Sequence, residues 1–413
     1  MAKLWMINQY ASTPRQPGHT RHFDFAFELE NLGFQSKVFA SSLNLATRQS
    51  VRLFSESAKE EIIEGVTFFW IRSTQYRIND WRRFINMIDF AHMVYKAGRA
   101  QSTKPDIIIG SSPPLFASLA GYLLAKRLQV PFVLELRDLW PQTFIDMGHY
   151  SEANPLIRLF KILENHLYKN ADHIIILAEG SRDYLEKKGV AQAKISYIPN
   201  GVRLESFQTS IVRQQARQKY NFSNFTIVYT GAHGPANGLG VILEAAKILI
   251  AERDLEFVLV GDGTLKKDLE KQAKNLNLSN LRFLPSIPKS EIPTLLLAAD
   301  AAVITLTDAG VFSYAVSPNK LFDYMAAKKP VLCTVPGAVA RMVEENNCGF
   351  ISPPEDAEAL ADNARKIKSL SGDELAALGE NGRDLIQNKY SRAELARTLG
   401  SLLSRLIQAP NNY

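Results

Sequence analysis

Short apolar, β-branched runs alternate with stretches of helical periodicity along almost the whole chain. In the first half the runs read KLWMIN, SKVFA, DIIIGSS, PFVLEL, HIIILA and ISYIP; in the second they read TIVYTG, EFVLVGDG, LRFLP, AAVITL and PVLCTV. Strands that are apolar throughout must be buried on both faces, and the helices between them are what covers those faces. The pattern predicts an α/β protein built from two Rossmann-like, doubly wound domains facing across a cleft. EEIIEGVTFFWIRS breaks the rhythm with two runs about a Glu-Gly turn and predicts an inserted β-hairpin in the first domain.

At 413 residues the chain exceeds what one hydrophobic core usually supports. The seam is expected near Ser206, because RLESFQTSIVRQQARQKYNFSN is polar and irregular until the next apolar run begins. This gives an N-terminal domain over residues 1–205 and a C-terminal domain over 206–390, with a last helix at about 391–413 packing back on the first. In open α/β sheets ligands sit at the carboxyl ends of strands, so the segments leaving the strands carry the weight.

Composition narrows the class. No run of about 18 apolar residues is present to span a bilayer. The start, MAKLWMINQYASTP, lacks a signal-peptide core, and Cys333 and Cys348 fit no zinc or redox spacing, so a cytoplasmic protein with two inert thiols is expected. A net charge of +6 is too small at this length to imply nucleic acid. Its distribution says more: Arg77, Arg82, Arg83, Lys96 and Arg99 surround Trp81, Phe84, Ile85, Ile88 and Phe90 at helical spacing. Such a helix can lie on an anionic membrane surface or face a core with a solvated basic side, and both readings stay open.

Among the strand ends, SPNKLFDYMAAKKP is the most telling. Ser317, Pro318, Asn319 and Lys320 read as a helix start, where free amides and a lysine attract an anion such as phosphate. Asp323 lies one turn in, offering acceptors only, which suits a vicinal diol; phosphate beside diol implies a ribose diphosphate. Two glycine-bearing turns, YTGAHGPANGLG and LVGDGTL, expose backbone amides in the same manner. In LELRDLWP, Arg137 and Asp138 crowd a strand end where charges are costly unless paired or used. Thr20 is expected to cap the helix that follows Gly18, and Asn200-Gly201 reads as a plain turn.

The order PNG, YTGAHG, LVGDG, PNKLFDYMAAKKPV and CGFISPPEDAEALA resembles the retaining GT-B glycosyltransferases of family 4 over nearly the whole chain. LELRDLWP is similar to the branch acting on bacterial polysaccharides, the L-fucosaminyl and related amino-sugar transferases of O-antigen and capsule assembly. The resemblance implies a UDP-sugar donor, a glycan or undecaprenyl-diphosphate-linked acceptor, retention, and neither metal nor cofactor, with peripheral contact on the inner face of the plasma membrane. It implies donor contacts at Gly18, Arg21, Gly231, His233, Gly234, Gly261, Asp262, Gly263, Ser317, Pro318, Asn319, Lys320, Leu321 and Asp323, with Asp138, Arg137 and Lys320 catalytic. Trp81, Arg82 and Arg83 are the candidates for acceptor or membrane contact.

Three departures accompany it. The family's paired acids, eight apart, are Ala315 and Asp323 here; the basic pair beyond the YTG strand is missing, the loop reading His233, Pro235, Asn237; and Arg137 replaces a common histidine. An epimerase or hydrolase on the same scaffold, or a non-catalytic nucleotide-sugar-binding subunit, are the alternatives.

Overall fold

A computed structural model describes residues 1–45, 49–50, 56–76 and 81–409; Arg77 and the last four residues of the expected C-terminal helix lie outside them. The first sheet comprises β1 (Ala2–Ile7), β2 (Phe34–Ser41), β3 (Ala58–Ile63), β4 (Val66–Ile71), β5 (Ile107–Ser112), β6 (Phe132–Leu136), β7 (His173–Ile176) and β8 (Ile195–Tyr197). They lie in the order β3-β4-β2-β1-β5-β6-β7-β8. Only β3 runs antiparallel, pairing with β4 through a turn in which Glu64 (φ 49°) and Gly65 (φ 85°) are both left-handed, as a two-residue hairpin requires. The expected hairpin is present.

The second sheet comprises β9 (Phe225–Thr230), β10 (Leu255–Val260), β11 (Leu281–Leu284), β12 (Ala301–Ile304), β13 (Val331–Cys333) and β14 (Gly349–Ile351), in the order β11-β10-β9-β12-β13-β14 and parallel throughout. The two Rossmann-like domains are thus as the apolar runs predict. All six residues of β10 are buried, which is why its sequence shows no alternation.

Strand order reverses between β1 and β5 in one sheet and between β9 and β12 in the other. At such a switch point the helices leave on opposite faces and a crevice opens at the carboxyl ends. The segments leaving these strands are Asn8–Thr20, Pro113-Pro114, Gly231–Leu239 and Thr305–Pro318, and they include most of the chemistry-bearing motifs.

The helix Arg392–Gln408 returns to the first domain, where Leu395, Ala396, Leu399 and Leu403 pack with Phe25 and Leu29 of helix Arg21–Glu30. Arg392 ties it to the crossover, its Nη2 donating to Gly201 O at 2.7 Å. Thr20 does not cap its helix as expected; its hydroxyl donates to the buried Asp24 at 2.9 Å instead. Among the described residues no helix is long and apolar enough to cross a membrane.

Candidate active site

The two glycine turns of the C-terminal domain pack on each other. Gly231 and Gly261 hold φ of +147° and +155°, and a Cβ on Gly261 would fall 1.8 Å from Gly231 O. No other residue fits there. Gly263 presses on the His233 backbone, whereas a Cβ on Gly234 would meet Asn237 Nδ2 at an ordinary 3.7 Å. Asp262 is exposed and accepts the Gly263 amide at 2.8 Å. His233, expected at the donor, lies fully buried beneath these turns with both ring nitrogens unpartnered among the described residues. Burial and Lys266 pull its pKa down to about 4, so it is a neutral support under the loop.

The helix Asn319–Ala326 starts against this loop, with Pro318 as its N-cap residue. Lys320 lies under Gly231, whose added Cβ would come 3.1 Å from Lys320 Nζ. That ammonium donates to Tyr229 Oη (2.8 Å) and Asn237 Oδ1 (3.0 Å) and sits 4.2 Å above the Tyr229 ring. Its partners are neutral, and burial alone drags its pKa to about 7. The first amides of a helix have no intrahelical acceptor. Leu321, expected to offer one, turns its amide back to Pro318 O at 3.1 Å and buries its side chain in the core, which leaves Asn319 and Lys320 as the amides of the start.

Asp323 is neither solvated nor free: 6% exposed, it pairs with Lys289 through Oδ2. Burial raises its pKa against the pull of Lys289. Lys289 comes from the loop after β11, whose amides at Lys289 and Ser290 reach Gln16 O (3.2 Å) and Pro14 O (3.0 Å) on the opposite domain. Ser317 also faces that domain: its Oγ accepts the Asn200 amide (3.2 Å) and its carbonyl the Asn200 Nδ2 (2.6 Å). Asn200, 5% exposed, is therefore more than a turn residue.

Across the cleft, His19 Nδ1 lies 3.1 Å from Asn319 Nδ2. His19 is exposed to the cleft, and the protein walls around it, then Arg137, Lys289, Lys320 and His22, push its pKa down to about 3. Four basic groups thus act on one imidazole, and the cleft is positive where the two domains meet. Arg137 donates from Nη2 to Pro113 O at 2.8 Å. Asp138 opens onto the cleft, and the protein walls around it raise its pKa against the pull of Arg137.

One N-terminal expectation needs correction. Arg21 is 2% exposed and its guanidinium is consumed internally, by Glu135 Oε2 (2.8 Å), Pro199 O (2.6 Å) and Ile198 O (2.9 Å). Glu135 also takes Ser111 Oγ at 2.8 Å, and although burial works to raise its pKa, Arg21 and His22 hold it well below the carboxylate range. Arg21 thus ties its helix to β6 and to the crossover at Ile198 and Pro199, its guanidinium already engaged inside the domain. Gly18 (φ +135°) serves Ser12, whose Oγ would lie 2.4 Å from an added Cβ.

The segment carrying Ala315 inserts into the N-terminal core: Ala309, Val311, Phe312 and Ala315 cluster with Leu136, Leu139 and Trp140. An acid at position 315 would be buried among apolar side chains, which accounts for its absence. On the helix Trp81–Arg99, Trp81 is 66% exposed with Arg82 stacked 5.7 Å over its ring, while Arg83 turns half-buried toward the domain.

Lys289, His19 and Asn200 are the site groups that motif reading passed over. His19 sat unweighed inside the window Gly18 to Arg21, and Lys289 had only the prolines of IPKSEIP to mark its loop.

Comparison with known proteins speaks to family and fold. Residues 19–206 match the family model described as Glycosyltransferase Family 4, and residues 212–385 that of Glycosyl transferases group 1. The chain is 26% identical over 302 residues to the "Probable glycosyltransferase WbjE" of Pseudomonas aeruginosa, covering 71% of this chain and 72% of that one. It is 32% identical over 195 residues, 45% of this chain and 48% of the other, to the UDP-Gal:alpha-D-GlcNAc-diphosphoundecaprenol alpha-1,3-galactosyltransferase of Escherichia coli. Its fold matches the crystal structure of Anabaena Alr3699/HepE in complex with UDP-glucose, with TM-score 0.73, 18% identity, and coverage of 98% of this chain and 100% of that one.

Proposed function

The chain belongs to the family 4 glycosyltransferases of GT-B fold, and from that premise we propose that it moves a sugar from a UDP-sugar to a glycan carried on a lipid diphosphate. The transfer retains the anomeric configuration, the sugar is a hexose or an N-acetylated amino sugar, and the setting is bacterial cell-surface polysaccharide assembly. One observation carries the reading: Lys320, Lys289, Arg137 and His19 converge on the cleft formed by both switch points, beside Gly231 and the start of helix Asn319–Ala326. The UDP-glucose of the fold neighbour and the diphosphoundecaprenol acceptor of the Escherichia coli relative support it. The exposed stripe of Trp81, Ile85 and Ile88, with Arg82, would rest on an anionic bilayer.

In this reading the diphosphate lies on the amides of Asn319 and Lys320 and on the Lys320 ammonium. As the bond from the anomeric carbon to the diphosphate oxygen breaks, the electron pair stays on that oxygen, and fixed donors in a dry site meet the charge without reorganising. Lys289 exchanges Asp323 for phosphate, and the freed carboxylate accepts from both ribose hydroxyls. The acceptor oxygen bonds the anomeric carbon on the same face, and its proton passes to an oxygen of the departing diphosphate. Asp138 orients the acceptor within about 3–3.5 Å of that carbon.

Incubation with a panel of UDP-sugars and lipid-linked acceptors, read by mass spectrometry, should show one sugar added from one donor. Donor consumed without any acceptor would contradict transfer. Asp138→Asn should lower kcat at least 100-fold with UDP affinity unchanged; near-normal turnover would remove Asp138 from the mechanism.

A further inference from the structure

Lys320 and Tyr324, one turn apart on the helix Asn319–Ala326, both reach β9. Tyr324 fixes the packing of the helix there: its Oη accepts the Thr230 amide at 2.8 Å and the Thr230 hydroxyl at 3.2 Å. The helix is therefore held without help from Lys320, and the bonds of the lysine have another use. Its Nζ donates to Tyr229 Oη at 2.8 Å and to Asn237 Oδ1 at 3.0 Å.

An ammonium carries three N–H donors. Two of them end on neutral oxygens, and the third has no partner among the described residues. Neutral acceptors orient the group and leave its charge unmatched, whereas a carboxylate in either place would match it. The Tyr229 phenol stays neutral, since burial and Tyr324 raise its pKa well above the ordinary value. Its single proton goes to Ala232 O or to Asn237 Oδ1, each 2.8 Å away.

The backbone of Asn237 is anchored separately from its side chain. Its amide donates to Gly234 O at 3.0 Å, its carbonyl accepts from Thr305 Oγ1 at 2.5 Å, and the neighbouring Ala236 O accepts the Thr307 amide at 3.1 Å. These bonds tie the glycine-bearing loop to the segment leaving β12 whatever side chain stands at 237. The other titratable groups in the field of Lys320 are His233 beneath the loop and His19 across the cleft, both held neutral with pKa values of about 4 and about 3. On its own helix Asp323 is paired with Lys289.

We propose that Asn237 and Tyr229 are positioning residues for the donor diphosphate: they hold the Lys320 ammonium by two neutral bonds and leave its third N–H and its whole charge to a phosphate oxygen. This rests on the transferase reading above and assigns work to two side chains that act through Lys320 and not on the nucleotide.

Calorimetry of the full chain with UDP tests it, each variant first shown to melt within a few degrees of the parent. Asn237→Leu removes the acceptor at similar volume; at about pH 6.5 it should weaken UDP about fivefold in the parent and less than about twofold in Lys320→Met, because the two residues are coupled. Equal weakening in both backgrounds would overturn the proposal, since Asn237 would then meet UDP directly or merely support the loop. Asn237→Asp keeps the shape and the acceptor and adds a charge. It should weaken UDP at least tenfold at the same pH. An anion beside an ammonium raises its pKa, so the fall of UDP affinity that Lys320 sets above about 7 should also begin at least one pH unit higher. A purely structural asparagine would leave that break in place, and an unshifted break overturns the proposal; the same break decides if Lys320→Met binds UDP too weakly to titrate. A parent that binds UDP with its Asn237 variants unchanged would strike the proposal and leave the transferase reading standing, whereas a parent that fails to bind UDP would remove both.

Discussion

Arg21 and Lys320 occupy matching places in the two halves of the molecule: each opens a helix that follows a switch-point strand, and each is a basic residue next to a glycine-bearing turn. The structure treats them in opposite ways. Arg21 is enclosed by Glu135, Pro199 O and Ile198 O and stacks 4.7 Å over Phe25, so its charge is fully matched before any ligand arrives. Among the described residues Lys320 has a phenol and an amide for partners, both neutral, and is depressed to about 7. A cation at a helix start is thus a candidate anion contact only when the fold has not already supplied the anion. Arg21 fastens the crossover, and Lys320 is held in reserve.

Exchanging the two residues' fates is the most severe test of that contrast. Arg21→Ala takes the guanidinium from the buried Glu135 and leaves it His22 and Ser111 Oγ, which should cost about 3–5 kcal/mol of stability and lower the melting temperature sharply. Lys320→Ala should melt at or above the parent temperature while lowering kcat/KM for the donor at least 100-fold. A stable, inactive Arg21→Ala together with an unstable Lys320→Ala would reverse the assignment.

A gentler probe uses pH. Lys320 titrates near 7 when unliganded, and an adjacent diphosphate must raise that value, so between the two pKa values binding takes up a proton. UDP affinity should therefore fall as pH rises above about 7, by up to tenfold per unit, and calorimetry in buffers of different ionisation enthalpy should register the proton. Affinity flat from pH 7 to 9 would mean that Lys320 does not touch the phosphate.

The smallest effect concerns the scaffold under the glycine turns. His233 is held neutral with a pKa of about 4, below its ordinary 6.5, so the unfolded chain binds more protons than the native one between those values. Its contribution to stability is complete above about 6.5 and is lost as pH falls toward 4. His233→Leu should flatten the parent's decline in melting temperature across that window; parallel curves would show that the imidazole is not buried.

The fold was legible because its cause is local. Each buried strand announces itself by a continuous apolar run, and the hairpin by Glu64-Gly65 between two such runs. β14 was not anticipated as a strand, since a three-residue edge strand that is partly exposed leaves little pattern. The helix start at Ser317 to Lys320 was readable for the same reason, being written in four consecutive residues. What could not be read is pairing at a distance: Glu135 is 114 residues from Arg21, Asn200 is 117 from Ser317, and Lys289 is 34 from Asp323. No periodicity links such positions, and only the folded chain shows that Arg21 is matched, that Asp323 is held by a lysine, and that the Ala315 segment lies in the other domain's core.

The central claim is that the C-terminal helix start and Lys320 hold a nucleotide's diphosphate. A crystal structure of the chain with UDP tests it most directly. The account predicts phosphate oxygens within hydrogen-bond distance of the Asn319 and Lys320 amides and Lys320 Nζ, with Lys289 moved off Asp323 and that carboxylate on the ribose; UDP bound elsewhere, or Lys289 still paired with Asp323 beside a ribose held by other groups, would contradict it.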